Sequence, residues 1–422
     1  MNSDLLTVKL EKLTYGGDAL GRLPDSLTGE ESRAVFVRFA LPGETVRVRI
    51  IEEKPGHARA ELVEVLEPSA ERISPKCLHF GVCGGCHYQH LSYQAQLKAK
   101  TEIIRDQLRR IGKIENPPVQ LIIPSPREWN YRNHVQFHLT RAGKLGYVDV
   151  KSRNVIPISE CHLPEKPLND IWPRLEFDPG LGLKRISLRL GAGEESLLVL
   201  ESDSPETPEL ELETDLSVVH LTEDDMVVMA GDKDMVMSVN DRPFRVSAAS
   251  FFQVNTEMAG KMVEHLLANL PVSLGTTLLD IYCGVGLFSA FFAPRVGRLI
   301  GVEVSPSACE DFAANLDEFE NVELYEASAE AALPVLGGHK PRPYENLLVI
   351  VDPPRTGLDK RVLEALLDQG PARIAYVSCD PSTLGRDAAR LIAGGYRLVQ
   401  VTPFDLFPQT YSIESISIFE KK

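Results

Sequence analysis

Three patterns of apolar and polar positions follow one another along the chain. In residues 1–68 the period is two: Val46, Val48 and Ile50 alternate with Arg47 and Arg49, as in a half-buried strand. The runs TVKLEKLT, AVFVRFA, TVRVRII and ARAELVEVLEP are separated by turn signals at Tyr15-Gly16-Gly17 and Leu41-Pro42-Gly43-Glu44. They predict a small OB-like β-barrel, an architecture that often carries oligonucleotides on one face. A barrel without a ligand is the plainer alternative. A helix is predicted over 93–111, with Leu97, Ile104, Leu108 and Ile111 at helical spacing. Residues 131–240 read as mostly β, with a hairpin around 141–144. From about residue 244 the pattern changes again. A helix over 255–270 places Met258, Met262, Leu266 and Leu270 on one face. Apolar strand runs then alternate with helical segments, which predicts a parallel, doubly wound α/β sheet. The expected domains are therefore 1–68, 69–243 and 244–422, in keeping with 422 residues at about 150 per domain.

Composition adds exclusions. No apolar run reaches the roughly 18 residues that a membrane-crossing helix needs, and the start MNSDLLTVKLEKL lacks the apolar stretch of a secretory signal. The net charge of −15 disfavours indiscriminate binding to polyanions. The charge is uneven, however. Residues 91–145 hold ten Lys/Arg against four Asp/Glu, and residues 201–234 hold one Lys against twelve Asp/Glu. The acidic stretch from Glu201 reads as a solvated loop. The basic window is either a phosphate-facing surface or a charged helix face.

Seven cysteines in a long unsignalled chain argue against a disulfide framework and for a reducing, cytoplasmic setting. Three of them fall in Cys77-x5-Cys83-Gly84-Gly85-Cys86, and Cys161 follows 75 positions later. Three thiolates from one loop and a distant fourth can surround an iron–sulfur cluster or a metal ion. The spacing does not suit the paired short loops usual for structural zinc, although His79, His87, His90 and His162 keep that rival open.

Four further motifs carry chemistry. Leu279-Asp280-Ile281-Tyr282-Cys283-Gly284-Val285-Gly286 runs from a strand into a glycine turn, where a nucleotide-like cofactor can approach closely. About 20 residues later Glu303 ends the next strand, a position from which an acid binds ribose hydroxyls. The three-glycine dinucleotide fingerprint is incomplete, which moves the reading from NAD to S-adenosylmethionine. Val351-Asp352-Pro353-Pro354 aims Asp352 into the crevice above the sheet, because two prolines fix the turn. Ser378-Cys379-Asp380-Pro381 ends another strand ahead of a helix. Ser382 is the expected N-cap, and the helix N-terminus is expected to lower the thiol pKa; a buried structural cysteine is the rival. Glu414 opens the last strand after Phe404-Asp405-Leu406-Phe407-Pro408-Gln409-Thr410-Tyr411.

Taken together these residues resemble the RNA uracil-C5 methyltransferase family, whose members make 5-methyluridine in 23S rRNA or tRNA. The likeness covers nearly the whole chain. It implies a Rossmann-like class I methyltransferase domain, an N-terminal TRAM barrel and a central, mostly β iron–sulfur domain. It implies that Cys77, Cys83, Cys86 and Cys161 hold a [4Fe–4S] cluster. Phe251-Phe252-Gln253-Val254-Asn255 matches the motif whose Gln contacts S-adenosylmethionine, and Tyr282, Glu303 and Asp352 fall at the other cofactor positions. Cys379 matches the nucleophile and Glu414 the general base. Two departures stand out: Ser412 occupies a place where many members carry His, and Leu287 one where some carry Asn. The implied partner is RNA, with 23S rRNA favoured by the barrel and tRNA the alternative, and the implied state is a monomer.

The residue types suit that chemistry. Uracil C5 becomes nucleophilic only once something adds to C6. A Cys379 thiolate would do so, and Glu414 would remove the C5 proton after methyl transfer. The target base must first leave its stack, and Phe251 is the expected side chain to hold it. Cytosine-C5 methylation shares the cysteine adduct but not the cysteine cluster or the Glu-bearing final strand. A non-catalytic iron–sulfur RNA-binding protein is the reading of another class.

Overall fold

A computed structural model describes residues 5–23, 33–152, 154–193, 195–209, 216–337 and 346–422. Residues 1–4 and 24–32 of the expected barrel, and 210–215 of the acidic stretch, lie outside the described residues.

The period-two segments close on themselves. Strands β1 (Leu6–Leu13), β2 (Ala19–Arg22), β3 (Ala34–Val37), β4 (Thr45–Lys54) and β5 (His57–Glu67) form a barrel in the order β1-β2-β3-β5-β4. Val8, Leu10, Val35, Val37, Val46 and Val48 fill its interior. Strand β2 escapes the sequence pattern because it is four residues long and contains Gly21. A Cβ at Gly21 would lie 2.6 Å from Val8 Cγ1, so the closest approach in the barrel requires glycine. Glu44, fully buried, accepts hydrogen bonds from the backbone of Leu41 and from Arg72 and ties the barrel to the chain that leaves it.

Helix α1 (Tyr93–Arg110) follows, capped by the Ser92 hydroxyl, which accepts from the Ala95 N–H. Its buried face carries Leu97, Ile104 and Leu108 as predicted, but also Gln96 and Lys100, whereas Ile111 is largely exposed. A seven-stranded sheet comes next, built from β6 (His134–Leu139), β7 (Leu145–Val148), β8 (Val155–Pro157), β9 (Leu183–Leu190), β10 (Ser196–Ser202), β11 (Ser217–Leu221) and β12 (Met226–Ala230) in the order β12-β11-β10-β9-β6-β7-β8. Helix α2 (Lys166–Ile171) packs on it. The hairpin of β13 (Asp234–Val239) and β14 (Arg242–Ser247) turns at Asn240-Asp241, both at positive φ, as a two-residue primed turn demands.

Helix α3 (Thr256–Asn269) buries Met258, Met262 and Leu266, with Asn255 as its N-cap. A second seven-stranded sheet contains β15 (Thr277–Ile281), β16 (Arg298–Glu303), β17 (Val322–Glu326), β18 (Leu347–Val351), β19 (Arg373–Ser378), β20 (Tyr396–Phe404) and β21 (Glu414–Lys421). Helices α4 (Leu287–Phe292), α5 (Pro306–Asn315), α6 (Ala329–Gly337), α7 (Lys360–Gln369) and α8 (Pro381–Ala393) connect them. The order is β17-β16-β15-β18-β19-β21-β20. The expectation of a wholly parallel sheet needs correction at one edge: β21 runs antiparallel between β19 and β20. The linker 405–413 is shorter than the dozen or so residues that a parallel crossover needs, so the chain returns as an antiparallel neighbour. That return decides where Glu414 lies. Among the described residues, no helix is long and apolar enough to cross a membrane.

Candidate active site and cysteine centre

In an open α/β sheet the ligand crevice lies beyond the carboxyl ends of the strands, where strand order reverses. Here the reversal falls at β15, flanked by β16 and β18. After β15, Tyr282 takes a left-handed conformation (φ 64°), and Gly286 does so too (φ 89°) where a Cβ would meet Leu316 at 2.5 Å. At the end of β16 the Glu303 carboxylate accepts from the N–H groups of Gly284 (2.9 Å), Val304 (2.8 Å) and Ser305 (2.9 Å). It thereby locks the glycine turn to the neighbouring strand end. Asp352 follows β18, its N–H donating to the Ile281 carbonyl at 3.1 Å. Gln253 is half-buried, and its loop is held from the central sheet: Asn133 donates through Nδ2 to the Gln253 carbonyl and through its backbone to Val254, both at 3.0 Å. Arg189, also from that sheet, donates to the carbonyls of Ser247 and Ser250.

The β19–β21 register pairs Ser378 with Ser415. One step further along this antiparallel ladder sets Cys379 across from Glu414. The two expected chemical groups, 35 positions apart in sequence, thus meet through strand pairing alone. Cys379 is half-exposed and Glu414 buried, and both feel the charge of Asp352 and of Arg355.

Two expectations about Cys379 are corrected. The N-cap of α8 is Asp380 rather than Ser382: its carboxylate Oδ1 accepts from Ser382 N (2.8 Å) and Thr383 N (3.1 Å). Proline at 381 occupies the first helical position, which shifts the cap one residue behind it. The thiol is not acidified either. Burial, then the neighbouring charges of Glu414 and Asp352, push its pKa up to about 12, against a smaller lowering by Arg355. Burial also raises Glu414 well above the ordinary carboxylate range, and burial with the Asp280 charge raises Asp352 to about 7. Burial thus biases all three groups toward their protonated forms.

Arg355 and Asp280 also belong to the site, although neither stands out in the motifs. Arg355 directly follows the Asp-Pro-Pro turn. Asp280 is fully buried and accepts from the Ser289 hydroxyl at 2.6 Å, with its other oxygen unpartnered. An acid inside an otherwise apolar strand run was the available signal.

The second centre is a cavity of about 210 Å³ lined by Cys77, Cys83, Cys86 and Cys161 together with His79, Gln89, Arg132, Tyr147 and His162. Burial raises all four thiols, Cys86 to about 12, and each feels at least one of the others. The His79 N–H points at Cys77 Sγ (3.4 Å) and the Gly85 N–H at Cys83 Sγ (3.3 Å). Gly84 donates to the Val148 carbonyl, where a Cβ would stand at 2.8 Å. Arg132 is half-buried in the wall with its Nε unpartnered. Of the histidines, His87 packs on Tyr411 and His90 among Phe39 and Phe80, away from the cavity lining. Among the described residues, no three or more His, Cys, Asp or Glu side chains are arranged to hold a metal ion.

The two centres are mechanically joined. Backbone N–H groups of His87 and Tyr88, next to Cys86, donate to the Gln409 carbonyl, and Gln96 exchanges two further hydrogen bonds with Gln409. Arg132 lies over the Phe407 ring at 5.7 Å. Lys100, fully buried, reaches Asp405 Oδ1 at 2.6 Å and the Phe407 carbonyl at 2.9 Å. Lys100 and Arg132 therefore leave the basic window as internal anchors, not as phosphate contacts. Lys100→Met strands the Asp405 charge in the core and should cost about 3–5 kcal/mol in chemical denaturation, with Lys100→Met/Asp405→Leu recovering most of it. A single variant within about 1 kcal/mol of wild type contradicts this.

Comparison with known proteins accords with this geometry. The model of the tRNA (uracil-5-)-methyltransferase family matches residues 209–422, and that of the TRAM domain residues 2–63. The chain is 34% identical, over 443 residues and 100% of both chains, to an uncharacterised RNA methyltransferase of Aquifex aeolicus. It is 31% identical to another from Halalkalibacterium halodurans, covering 100% of this chain and 98% of the relative. Its fold is similar to the crystal structure of the Pyrococcus abyssi tRNA (uracil-54, C5)-methyltransferase in complex with S-adenosyl-L-homocysteine, with a TM-score of 0.76, 24% identity, and 98% of this chain and 100% of that one covered.

Proposed function

The chain belongs to the tRNA (uracil-5-)-methyltransferase family, and from that premise we propose that it methylates C5 of a uridine in 23S rRNA with Cys379 as nucleophile and Glu414 as base. It is an S-adenosylmethionine-dependent RNA uracil-5-methyltransferase. The observation that carries the residue roles is the β19–β21 register, which sets Cys379 across from Glu414 at the carboxyl edge of the sheet.

The Cys379 thiolate adds to C6 of the flipped base, and the electron pair of the C5–C6 bond moves to C5 and O4. S-adenosylmethionine supplies the methyl group that C5 takes up. Glu414 then removes the C5 proton, and the returning electron pair expels Cys379 from C6. Burial and neighbouring charges disfavour ionisation of Cys379, and burial disfavours that of Glu414, so the attack and the C5 deprotonation each work against that bias. Arg355, which lowers both groups, is placed to counter it. Gln253, Tyr282, Glu303 and Asp352, at or above the strand ends, would line the cofactor side, and Phe251, largely exposed beside them, would stack the base.

Cys77, Cys83, Cys86 and Cys161 would hold a [4Fe–4S] cluster. The shared cavity supports this reading. All four thiols line one cavity of about 210 Å³, N–H groups are aimed at two of the sulfurs, and the half-buried Arg132 beside them would offset thiolate charge. The group would brace the Phe404–Glu414 segment and would take no part in methyl transfer.

The barrel supports rRNA as substrate; the tRNA activity in the name of the similar Pyrococcus abyssi enzyme supports the alternative. Unmodified rRNA and tRNA carrying tritium at uracil C5 separate them, using anaerobically purified protein acting as a monomer with S-adenosylmethionine. Cofactor-dependent release of tritium to water from rRNA is the expected result. Release from tRNA alone moves the substrate, and release from neither overturns the reaction.

A further inference from the structure

A tight turn of the barrel reaches the reaction centre. Between β1 and β2, the Thr14 N–H and hydroxyl both donate to the Asp18 carbonyl at 2.9 Å, and Gly17 donates back to Thr14 at 3.1 Å. Gly16 and Gly17 sit at φ 103° and 91°, which a side chain would resist. The turn lies flat against its neighbours, since a Cβ at Gly17 would stand 3.3 Å from His87 Cβ and 3.6 Å from Tyr411. Tyr15 extends from it to Asp380 and Tyr411.

Tyr15 contacts a near neighbour in sequence of each proposed catalytic group. Its hydroxyl donates to Asp380 Oδ2 at 3.1 Å. Asp380 directly follows Cys379, and its other oxygen, Oδ1, caps α8. The two oxygens of this carboxylate thus act separately, since one fixes the helix start and the other is held by the barrel. The Tyr15 ring meets Tyr411 edge-on at 5.7 Å, and Tyr411 meets His87 at 4.4 Å. Tyr411 stands three residues before Glu414. Burial and the Asp380 charge raise the Tyr15 hydroxyl well above its ordinary pKa, so it remains a donor at any working pH.

We infer that Tyr15 is a positioning residue, which couples the seating of the barrel on RNA to the alignment of Cys379 through Asp380. The inference rests on the roles proposed above for Cys379 and Glu414. Tyr15 touches none of the reacting atoms. A barrel displaced on its own would release Asp380 Oδ2 and let the Cys379–Asp380 turn relax, so alignment is completed only when barrel and sheet are both engaged.

The test is Tyr15→Phe in the full-length holoenzyme, which keeps the ring and its packing on Tyr411 and deletes only the hydroxyl. At saturating RNA, kcat should fall about tenfold while KM for RNA stays within about twofold of wild type. RNA containing 5-fluorouridine supplies a second reading. Fluorine at C5 cannot leave as a proton does, so the cysteine adduct accumulates and its rate of formation can be followed on denaturing gels. That rate should fall by the same factor as kcat, with the melting temperature unchanged. A rise in KM alone, or wild-type rates of adduct formation, overturns the positioning role. A wild-type enzyme that forms no adduct overturns the assignment of Cys379 itself and the positioning with it, and the two failures are told apart by which protein fails.

Discussion

Cys379→Ala is expected to abolish methyl transfer, a loss of at least about 10⁴-fold, while leaving the fold and S-adenosylmethionine binding intact. The size follows from the chemistry: without a group adding to C6, C5 of uracil lacks the electron density to take up a methyl group, and a serine hydroxyl is a far weaker nucleophile than the thiolate. Stability should change little, since alanine keeps the Cβ of a side chain that is only partly buried. The wild-type enzyme should also show a marked pH dependence. Burial and the Glu414 and Asp352 charges hold the free thiol near 12, so little thiolate exists at neutral pH. Raising the pH increases that fraction, and kcat/KM should climb between pH 6 and 9 instead of reaching a plateau. Tritium release from C5-labelled RNA measures both effects. Measurable turnover by the alanine variant removes Cys379 from the mechanism; a flat profile would mean that the thiol loses its proton before RNA arrives.

The sequence made the architecture readable where local pattern is strong, and failed where tertiary structure decides. The alternation of Val46 and Val48 with Arg47 and Arg49 announced the barrel, and the run Val349-Ile350-Val351 ahead of Asp352 announced a buried strand ending at the crevice. Strand β2 was invisible because four residues with a central glycine carry almost no period. The antiparallel return of β21 could be inferred from linker length but not from composition. Proximity of Cys379 to Glu414 is a matter of register, which no single segment contains. The α8 terminus alone would acidify Cys379, but burial and two nearby acids outweigh it. Lys100 illustrates the same limit: in the sequence it is one of ten cations in a basic window, and in the fold it is the buried partner of Asp405. Three of the four cysteines were legible as a group because spacing concentrates them, whereas Cys161 joins them only in the fold, and the hold on Gln409 arises from the packing of α1 and of His87 and Tyr88 against it.

Glu414→Gln should separate the two halves of the reaction. The amide can neither accept the C5 proton nor be bypassed easily in a closed pocket, so turnover should fall about 10³-fold, while Cys379 still adds to C6 and methyl transfer still proceeds. The methylated adduct then has no route to elimination. It should accumulate as a protein–RNA species stable to denaturant, formed from ordinary uridine RNA and dependent on S-adenosylmethionine. The substitution is conservative because an amide and a carboxyl share shape and size, and burial biases the Glu414 carboxyl toward its neutral form. Stability supplies an independent check with a definite sign. A carboxyl whose folded pKa lies above its unfolded value of about 4.3 holds a proton in the native state that the unfolded chain has released. The contribution is fully present below that unfolded value and is lost as pH rises toward the raised folded pKa. Wild type should therefore weaken relative to Glu414→Gln as pH climbs from about 4 toward neutrality and beyond. An amide variant that forms no adduct would place Glu414 in the attack of Cys379 as well as in proton removal, and one that turns over at the wild-type rate would remove it from the chemistry.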